Sequence, residues 1–455
     1  MASSAFDVVV AGGGPAGLAL ALTLVRHTRL TVLVIERGAY LDPRVGETLS
    51  PGVQGLLEYL GVWQGFGEAG HLPAFGTTAA WGSAAPATRD FLLSPFGSGW
   101  HLDRRRFDAD LALAAESQGA VPWRGAQLLS VEPRGSGWRL AVSRPGGVET
   151  LEARFLVDAT GKGAALSRRL GGDRRVLDRQ VAITATLRFA RQEPAETLTL
   201  VEACEVGWWY SARLPGRERV VALITDADLA QAEGLASPER WQGALAAMPS
   251  TARRLAGGHL LGRPRVVAAH SACLTQVVGE GWLAVGDAAA CHDPLSSSGI
   301  ARALDGGIAA ARALHASLAL GRAEALAEYQ RRESQAFDQY CATRARYYQL
   351  EQRWPEAPYW RRRQRLITLD PRGELAANPW PPRSRAAGRL PADLRHLEAS
   401  LLAEICGPGR PAHEVVAEHR GRARQPASDV EVILALQWLL TTGLLQERAP
   451  RAKAG

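Results

Sequence analysis

Residues 7–36, DVVVAGGGPAGLALALTLVRHTRLTVLVIE, carry the strongest structural signal in the sequence. The β-branched run at residues 7–11 is typical of a buried parallel strand, and a glycine-rich turn follows it directly. An apolar helix that begins at Pro15 and a second strand at residues 30–35 complete a strand–turn–helix–strand unit. This order predicts a Rossmann-like dinucleotide-binding domain.

The glycines of this turn follow the pattern GxGxxG, and each position has a distinct role. Gly12 permits the tight turn, and Gly14 lets a pyrophosphate approach the backbone. Gly17 lets the helix pack against the strand. The context of a preceding strand and a following helix makes a dinucleotide site the expected function of the turn.

The residues that flank the glycines complete the predicted site. Pro15 and Ala16 open the helix, whose N-terminal N–H groups and partial positive charge favour phosphate. Glu36 ends the second strand, 19 residues after Gly17, and is placed to accept the ribose hydroxyls; Arg37 follows it as a further candidate.

A second GxGxxG match, at residues 65–70, lacks this context. It follows a helical stretch at residues 56–63 and leads into the sequence His71-Leu72-Pro73. No strand precedes the match and no helix follows it, so we expect a loop that binds no nucleotide.

Residues 282–299, WLAVGDAAACHDPLSSSG, favour FAD over NAD, although both use the N-terminal pattern. A strand ends at Gly286-Asp287, a loop passes Pro294, and a helix begins around Ser298-Gly299. A carboxylate at a strand end can bind a sugar-chain hydroxyl, and the helix dipole would stabilise negative charge on a reduced flavin.

The hydrophobic period changes to two at residue 181, which predicts an antiparallel sheet. Residues 265–272 and 282–286 are expected to return as strands to the first domain. A terminal helix at residues 428–445, capped by Ser428, is also expected.

The predicted fold class is α/β, with a Rossmann-like FAD-binding domain, an inserted antiparallel-sheet substrate domain and a C-terminal helical region. The predicted segments are FAD-binding residues 1–75, 101–175 and 266–330, substrate-sheet residues 76–100 and 176–265, and C-terminal residues 331–455.

These motifs resemble those of the FAD-dependent aromatic hydroxylase superfamily, and more closely its tryptophan-halogenase-like branch. The resemblance extends over about residues 5–365. It also rests on Gly46-Glu47-Thr48, on the segment from His101 to Asp108, and on Asp158-Ala159-Thr160-Gly161.

The resemblance implies roles for particular residues. Arg104 would help to hold the flavin, Asp287 would bind the ribityl chain, and the Gly46-Glu47-Thr48 loop would lie beside the isoalloxazine ring. An ordinary solvated arginine and a capped turn remain the alternatives for Arg104 and the loop.

Two departures from the halogenase pattern argue against halogenation. Halogenases of this branch use an active-site lysine shortly after the Gly-Glu-Thr loop, whereas residues 1–161 contain no lysine and Lys162 follows the Asp158–Gly161 turn. The WxWxIP signature of halogenases is altered to GWWYSARLP at residues 207–215.

We therefore expect a monooxygenase that hydroxylates an aromatic (indole) ring through a flavin hydroperoxide, with NADH or NADPH as the transient reductant. Trp208, Trp209 and Tyr210 are candidates to line the substrate pocket, with burial in the core as the alternative. His292 and Glu47 are candidate catalytic bases, and a structural role for His292 stays open.

The sequence RWPEAPYWR at residues 353–361 resembles flavoproteins that mature quinone-cofactor amine oxidases and dehydrogenases. This resemblance implies hydroxylation of a tryptophan in a polypeptide during tryptophylquinone biogenesis. Alternatives are a hydroxylase of a free aromatic metabolite, a flavin-dependent halogenase, a prenyl-chain flavin reductase and a non-enzymatic flavin-bound chaperone.

The charge is unevenly distributed. The chain has 455 residues and a net charge of +7, and residues 331–455 hold 21 Lys and Arg against 14 Asp and Glu, which accounts for the whole excess. We interpret this part, including the run Arg361-Arg362-Arg363, as a docking surface for an acidic polypeptide.

The remaining composition narrows the protein class. Five scattered cysteines predict neither a disulfide framework nor a metal site and favour the cytoplasm. No uncharged stretch is long enough for a membrane span, and we expect neither a membrane nor a nucleic-acid partner.

Overall fold

The computed structural model describes residues 4–91, 94–190, 197–364, 372–378, 390, 394, 397–407, 409–423, 427–441 and 444–448. The chain divides into two units, Met1–Glu333 and Ser334–Gly455. The finer predicted segments within the first unit stay a prediction.

Helices and strands alternate through the first unit. Its helices are α1 (Pro15–His27), α2 (Val53–Tyr59), α3 (Trp63–Glu68), α4 (Arg104–Ser117), α5 (Ala165–Arg169), α6 (Ala227–Ala232), α7 (Pro238–Ala246), α8 (Pro249–Leu255) and α9 (Gly299–Leu318). Short 3-10 helices lie at Gly161–Gly163, Gly286–Ala288 and Pro294–Ser296.

The strands of the first unit are β1 (Ser4–Ala11), β2 (Val32–Glu36), β3 (Thr48–Leu49), β4 (Leu72–Ala74), β5 (Gly76–Ala80), β6 (Ala87–Asp90), β7 (Gly99–His101), β8 (Val121–Arg124), β9 (Gln127–Arg134), β10 (Gly137–Arg144), β11 (Gly147–Asp158), β12 (Arg174–Val176), β13 (Gln180–Arg188), β14 (Leu198–Cys204), β15 (Gly207–Arg213), β16 (Glu218–Asp226), β17 (His259–Leu260), β18 (Arg265–Ala268), β19 (Ala272–Leu274), β20 (Val278–Gly279), β21 (Trp282–Ala284) and β22 (Ala290–Cys291).

The first sheet confirms the predicted Rossmann-like core. Its order is β20-β21-β11-β1-β2-β8, and the pairs from β21 to β8 are parallel. Strand β2 is buried throughout, as expected of a parallel strand with both faces covered. The antiparallel strands β9 and β10 extend the sheet from the first half of β11.

Helices α1 and α9 pack against each other at this sheet. Gly307 of α9 lies so close to α1 that a Cβ atom would stand 2.4 Å from the carbonyl oxygen of Ala16. A side chain at this position would push the two helices apart, so the packing requires glycine here.

The second sheet confirms the predicted inserted antiparallel sheet. Its order is β17-β13-β16-β15-β14-β5-β6, with β18 also paired to β13, and only the β14–β5 pair among these is parallel. On β13, Ile183 and Leu187 pack with Trp241 in a buried cluster, whereas Ala182 and Thr184 face a cavity. The period of two therefore separates a core face from a cavity face.

The prediction that residues 265–272 return to the first domain is wrong. Strand β18 pairs antiparallel with β13 of the second sheet, and β19 joins a small sheet of order β12-β19-β22. Of the two predicted segments, residues 282–286 enter the first sheet, as β21 beside β11. A short β-branched run pairs equally well in either sheet, so its sequence could not decide between them.

The second match to GxGxxG also differs from its prediction. Residues 63–68 form the helix α3 instead of a loop. Phe66 of α3 packs against Trp100 with ring centroids 5.1 Å apart, so burial of this aromatic residue offsets the low helix propensity of the neighbouring glycines.

The second unit contains the end of α10 (Glu324–Gln349), which begins in the first unit, followed by α11 (Pro358–Arg363), α12 (Ala399–Cys406), α13 (Ala412–Arg422), α14 (Asp429–Thr441), β23 (Glu374–Ala377), β24 (Arg410–Pro411) and β25 (Leu445–Arg448). The three strands form a sheet of order β24-β23-β25, which the predicted helical region did not include.

The predicted terminal helix is partly confirmed. The Ser428 hydroxyl accepts a hydrogen bond from the backbone N–H of Glu431, and the Glu431 carboxylate accepts one from the backbone N–H of Ser428, which is a capping box. The helix ends at Thr441, however, and Leu445 belongs to β25. Pairing of β25 with β23 outweighs the helical pattern there.

The basic run at residues 361–363 is not wholly a surface feature. The Arg363 guanidinium is buried, stacks on the Tyr359 ring at 3.7 Å from its centroid, and donates a hydrogen bond to the Tyr359 carbonyl oxygen at 2.9 Å. Tyr348 and Trp360 are buried in the same cluster. Arg363 therefore stabilises the fold, which corrects its expected role in docking.

Among the helices that the structure describes, none is both long enough and apolar enough to cross a bilayer.

Replacement of Gly307 with alanine tests the packing of α1 on α9. We expect Gly307→Ala to lower the free energy of unfolding by about 1–3 kcal/mol, because the new methyl group would overlap the Ala16 carbonyl oxygen. Urea denaturation measures this change.

The neighbouring glycine supplies the control. An added Cβ at Gly306 would meet only a Glu333 oxygen at 4.0 Å, so Gly306→Ala should gain up to about 1 kcal/mol from helix propensity. Equal effects of the two substitutions would contradict the proposed packing.

Candidate active site

The carboxyl ends of three parallel strands bring the predicted motifs together. In register, Ala11 of β1 lies opposite Asp158 of β11, which lies opposite Ala284 of β21. The segments that follow these strands, at residues 12–17, 159–162 and 285–287, therefore meet at one edge of the sheet. This edge is where doubly wound sheets bind their ligands.

The glycine turn follows the geometry that its pattern predicts. Gly12 has a φ of +116°, and a Cβ there would stand 2.2 Å from the Ala159 carbonyl oxygen. A Cβ at Gly17 would stand 2.2 Å from the Gly12 carbonyl oxygen. A Cβ at Gly14, by contrast, would meet no protein atom within 4 Å. The first two glycines are needed for packing, whereas Gly14 borders open space.

Glu36 holds the turn through hydrogen bonds to backbone. Its carboxylate accepts one hydrogen bond from the Gly13 N–H at 2.8 Å and another from the Gly38 N–H at 2.9 Å. The Tyr40 hydroxyl donates to the Gly13 carbonyl oxygen at 2.9 Å. Arg37 follows Glu36 and is exposed. Glu36 therefore holds the turn in place, and it does not itself line the cavity.

A buried carboxylate connects this region to the Gly46-Glu47-Thr48 loop. Asp108 is fully buried and forms ion pairs of 3.0 Å with Arg44 and with Arg104. Arg44 also pairs with Glu36 at 3.0 Å. The Arg104 guanidinium donates hydrogen bonds to the carbonyl oxygens of Val45, at 2.7 Å, and Gly46. Arg104 therefore borders the cavity while it holds the loop in place.

The turn after β11 is held by its own aspartate. The Asp158 carboxylate accepts hydrogen bonds from the Thr160 N–H at 2.9 Å, the Thr160 hydroxyl at 2.6 Å and the Ser167 N–H at 2.6 Å. Lys162 follows this turn and lines the cavity, with its Nζ 4.0 Å from a carboxylate oxygen of Asp287.

The segment from Gly286 to Gly299 forms the next part of the wall. Gly286 has a φ of +59°, and a Cβ there would stand 2.6 Å from the Ala16 Cβ. Asp293 accepts a hydrogen bond from the Leu295 N–H and caps the short helix that begins at Pro294. Helix α9 then begins without a side-chain cap at Ser298, so its first N–H groups face the cavity edge.

These segments enclose a cavity of about 320 Å³. The strand-end side is lined by Gly14, Pro15, Ala16, Ala159, Gly161, Lys162, Val285, Asp287, His292, Asp293, Pro294, Ser296, Ser297, Ser298, Gly299, Ile300 and Ala303. The opposite side is lined by Val45, Gly46, Glu47, Thr48, Arg104, Ala182, Thr184, Tyr210, Val220, Ala222, Ile224, Val267, Ala268 and Ala269.

The structure separates the three aromatic candidates for the substrate pocket. Tyr210 lines the cavity, and its hydroxyl lies 2.5 Å from the Thr48 hydroxyl. Trp209 points to the other face of the sheet, where its ring centroid lies 5.3 Å from that of Trp241. Trp208 is buried against Trp81 and does not border the cavity. Burial in the core therefore replaces the expected pocket role of the two tryptophans.

Glu47 lies at the border of the cavity in an environment that favours its neutral form. Burial raises the pKa of the Glu47 carboxyl, and the nearby Arg104 guanidinium opposes this shift only in part. Burial also raises the pKa of the Tyr210 hydroxyl, which keeps it protonated. A carboxylate whose pKa is raised binds a proton more readily than an ordinary one, which suits Glu47 to proton transfer.

His292 lines the cavity in the opposite electrostatic situation. Burial lowers its pKa to about 2, and the positive charges of Arg302 and Lys162 contribute to this shift. The imidazole therefore stays neutral. A group that binds a proton so weakly is a poor catalytic base near pH 7, which favours Glu47 over His292 for that role.

The residues at the strand-end side fit FAD. The open space at Gly14 admits a phosphate group against the backbone, and α1 begins there without a side-chain cap. A Cβ at Gly299 would also meet no atom within 4 Å, at the start of α9. Two helix N-termini and the Asp287 carboxylate thus border one cavity, as binding of a diphosphate and a ribityl chain requires.

Several residues of the site were not assigned a role from the sequence. Asp108 and Arg44 connect the two halves of the site, and Thr184 and Ala222 form part of its sheet wall. Lys162 has a predicted place after the Asp158–Gly161 turn but no predicted role in the site. The alternation of apolar and other side chains along β13 could have indicated that Thr184 lies on the cavity face. Ion pairs between distant segments, by contrast, have no signal in the sequence.

Comparisons with known proteins agree with this geometry. The FAD-binding domain family matches residues 5–343. LodB, a putative FAD-dependent oxidoreductase of Marinomonas mediterranea, is 33% identical over 370 residues, which cover 80% of this chain and 98% of LodB.

The fold is shared with solved structures that include a halogenase and a hydroxylase. The myxobacterial chondrochloren halogenase CndH superposes with a TM-score of 0.74 at 26% identity, over 80% of this chain and 87% of that chain. The peptidyl tryptophan dihydroxylase QhpG, essential for tryptophylquinone cofactor biogenesis, superposes with a TM-score of 0.65 at 22% identity, over 97% of this chain and 100% of that chain.

Replacement of Gly14 tests the phosphate cradle separately from folding. Gly14→Ala should weaken FAD binding by about tenfold or more, because the methyl group would occupy the space that the pyrophosphate approaches. Fluorescence titration of the apoprotein with FAD measures the affinity.

The second GxGxxG match provides the control for this experiment. A Cβ at Gly67 would also meet no atom within 4 Å, so Gly67→Ala should leave FAD affinity unchanged. If both variants bind FAD as the wild type does, or if Gly14→Ala unfolds the apoprotein, the assigned role of Gly14 is incorrect.

Proposed function

This chain belongs to the FAD-binding domain family, and from that premise we propose that it is a monooxygenase that hydroxylates the indole ring of a tryptophan in a polypeptide. The observation that carries the proposal is the cavity lined both by the strand-end cradle and by the second sheet. Small residues on the sheet wall, such as Ala182 and Ala222, leave room for a flat ring opposite the cradle.

The choice of a tryptophan residue as substrate is supported by one likeness. The superposition on QhpG, a peptidyl tryptophan dihydroxylase, includes 97% of this chain and all of that chain. The similarity to LodB, a putative FAD-dependent oxidoreductase, supports only the broader class of flavin enzyme. We place the reaction in the biogenesis of a tryptophylquinone cofactor and in the cytoplasm. A free aromatic metabolite is the alternative substrate.

The chemistry that FAD supplies when bound is the activation of dioxygen with two electrons from NADH or NADPH, so that one oxygen atom enters the ring and the other leaves as water. The chain must exclude water from this cavity. The apolar residues Val220, Ile224 and Val267 line its sheet wall and serve this purpose.

Glu47 is the residue that we assign to proton transfer. Hydroxylation of an aromatic carbon replaces a ring hydrogen, so a nearby base must accept a proton. Glu47 borders the sheet wall beside the Thr48–Tyr210 hydrogen bond, and its raised pKa suits this task. Tyr210 and Thr48 would orient the ring by hydrogen bonding.

Halogenation is the second candidate, and one observation favours it. Lys162 lines the cavity, and the halogenase CndH shares the fold. The Lys162 Nζ lies 4.0 Å from a carboxylate oxygen of Asp287, however, which is the residue assigned to the ribityl chain. We therefore assign Lys162 to the cofactor and keep hydroxylation as the stronger candidate.

The products of one reaction distinguish these activities. The protein, loaded with FAD, is incubated with NADH or NADPH, oxygen and bromide, together with a tryptophan-containing peptide or, in a parallel reaction, with a free indole. Mass spectrometry measures the mass of each product. We expect a gain of one or two oxygen atoms that does not depend on bromide. Incorporation of bromine would overturn the proposal, as would an unchanged peptide when a free indole is converted instead.

Replacement of Glu47 tests its role in proton transfer. We expect Glu47→Gln to lower the hydroxylation rate by about a hundredfold without loss of FAD. In the wild type the rate should fall as the pH decreases through the raised pKa of Glu47, because only the carboxylate accepts a proton.

The pH profile separates this role from a structural one. The profile of Glu47→Gln should lose this acidic limb, whereas Glu68→Gln, an exposed residue of α3, should retain both rate and profile. An unchanged acidic limb in Glu47→Gln would show that another group accepts the proton.

A further inference from the structure

A second cavity adjoins the first and differs from it in charge. Its volume is about 550 Å³, and it shares Val45, Glu47, Arg104, Thr184 and Val220 with the first cavity. More arginines than carboxylates line it. The arginines are Arg44, Arg104, Arg105, Arg188, Arg263 and Arg265. We call this space the arginine-lined antechamber.

Most of these arginines are already paired within the protein. Arg44 and Arg104 pair with Asp108, and Arg188 pairs with Glu218 at 2.6 Å. Arg263 and Arg265 are exposed and, in the described part of the chain, have no ion-pair or hydrogen-bond partner for their side chains. These two cations are available to a ligand that carries negative charge.

Strand β18 runs along both cavities. Arg265 lines the antechamber, whereas Val267 and Ala268 line the first cavity. Arg265 pairs in register with Thr184 of β13, and Val267 pairs with Ala182, so both side chains stand on the cavity face of the sheet.

The outer edge of β18 is open. Among the residues that the structure describes, β18 pairs only with β13. Ala269 donates its N–H to the Gln180 carbonyl oxygen, so its backbone groups face β13. Because this orientation alternates along an antiparallel strand, the backbone groups of Val267 and Arg265 also face β13. Those of Val266 and Ala268 face outward. Val266 is 52% exposed. An edge strand with outward N–H and C=O groups can pair with another extended chain.

We propose that an extended, acidic segment of the polypeptide substrate pairs with the outer edge of β18. Side chains on one face of a strand recur every second residue. An indole that enters the first cavity beside Val267 therefore places the side chain two positions away beside Arg265. An Asp or Glu at that position meets Arg263 and Arg265. This inference rests on the proposed function, since it names the polypeptide that the site would accept.

Two synthetic peptides of identical composition and charge test the proposal. One carries Asp two positions before and after a central Trp, and the other carries Asp one position before and after it. We expect the first to bind about five- to tenfold more tightly, because only its carboxylates lie on the face of the indole. Fluorescence anisotropy of the labelled peptides on the FAD-loaded protein measures both affinities.

Substitutions on β18, with controls on the opposite edge strand β6, separate the contribution of the arginine charges from that of backbone pairing. Arg263→Gln with Arg265→Gln should abolish the preference between the peptides, whereas Arg89→Gln on β6 should retain it. Val266→Pro removes an outward N–H and should weaken both peptides by about tenfold. Thr88→Pro is its control. The Phe91 N–H donates to the Phe75 carbonyl oxygen and so faces β5, and alternation along β6 then directs the Thr88 N–H to the outer edge.

Hydrogen exchange of the unmodified protein provides a second measurement that depends on no variant. The first peptide should protect the amides of Val266 and Ala268 and leave those of residues 87–90 unchanged. Equal affinity of the two peptides, equal effects of Val266→Pro and Thr88→Pro, or absence of protection at Val266 would each overturn the proposal.

Failure of this inference can be told apart from failure of the proposed function. If both peptides are hydroxylated without discrimination, the function stands and the pairing with β18 is wrong. If neither peptide binds and a free indole is hydroxylated, the polypeptide substrate is wrong and the inference fails with it.

Discussion

The close approach of the glycine turn to the neighbouring strand end is the constraint on which the rest of the structure depends. Gly12 lies against the Ala159 carbonyl oxygen, where a Cβ would stand 2.2 Å away. Gly307 of α9 lies equally close to the Ala16 carbonyl oxygen, at 2.4 Å for an added Cβ. Because these contacts exclude side chains, α1 and α9 can both start at the edge where the parallel strands end.

A buried carboxylate extends this arrangement to the substrate side. Asp108 pairs with Arg44, which reaches Glu36 at the end of β2, and with Arg104, which holds the carbonyl oxygens of Val45 and Gly46. Removal of one partner from a buried ion pair typically costs about 3–5 kcal/mol. The position of Glu47 beside the cavity is therefore coupled to the turn that would bind the phosphates.

The local motifs could be predicted from sequence, and residue contacts between distant segments could not. The turn at Gly12 and the strand end before Asp287 follow from patterns within a few residues. The opposite orientations of Tyr210 and Trp209 follow from the alternation along β15, once the face of β15 that borders the cavity is known. Strand β18 pairs with β13 instead of entering the first sheet. Nothing in its sequence specifies β13 as its partner, so this pairing could not be predicted.

Spacing and periodicity alone predict the Rossmann-like core, the inserted antiparallel sheet and the segments that line the first cavity, since both are properties of neighbouring residues. Only the tertiary structure decided which residues share the cavity, that Lys162 lies beside Asp287, and that Glu47 has a raised pKa. The physical reason is that burial and charge–charge contacts depend on which distant segments meet. Strand pairing and helix packing decide this, and neither is specified by a local pattern.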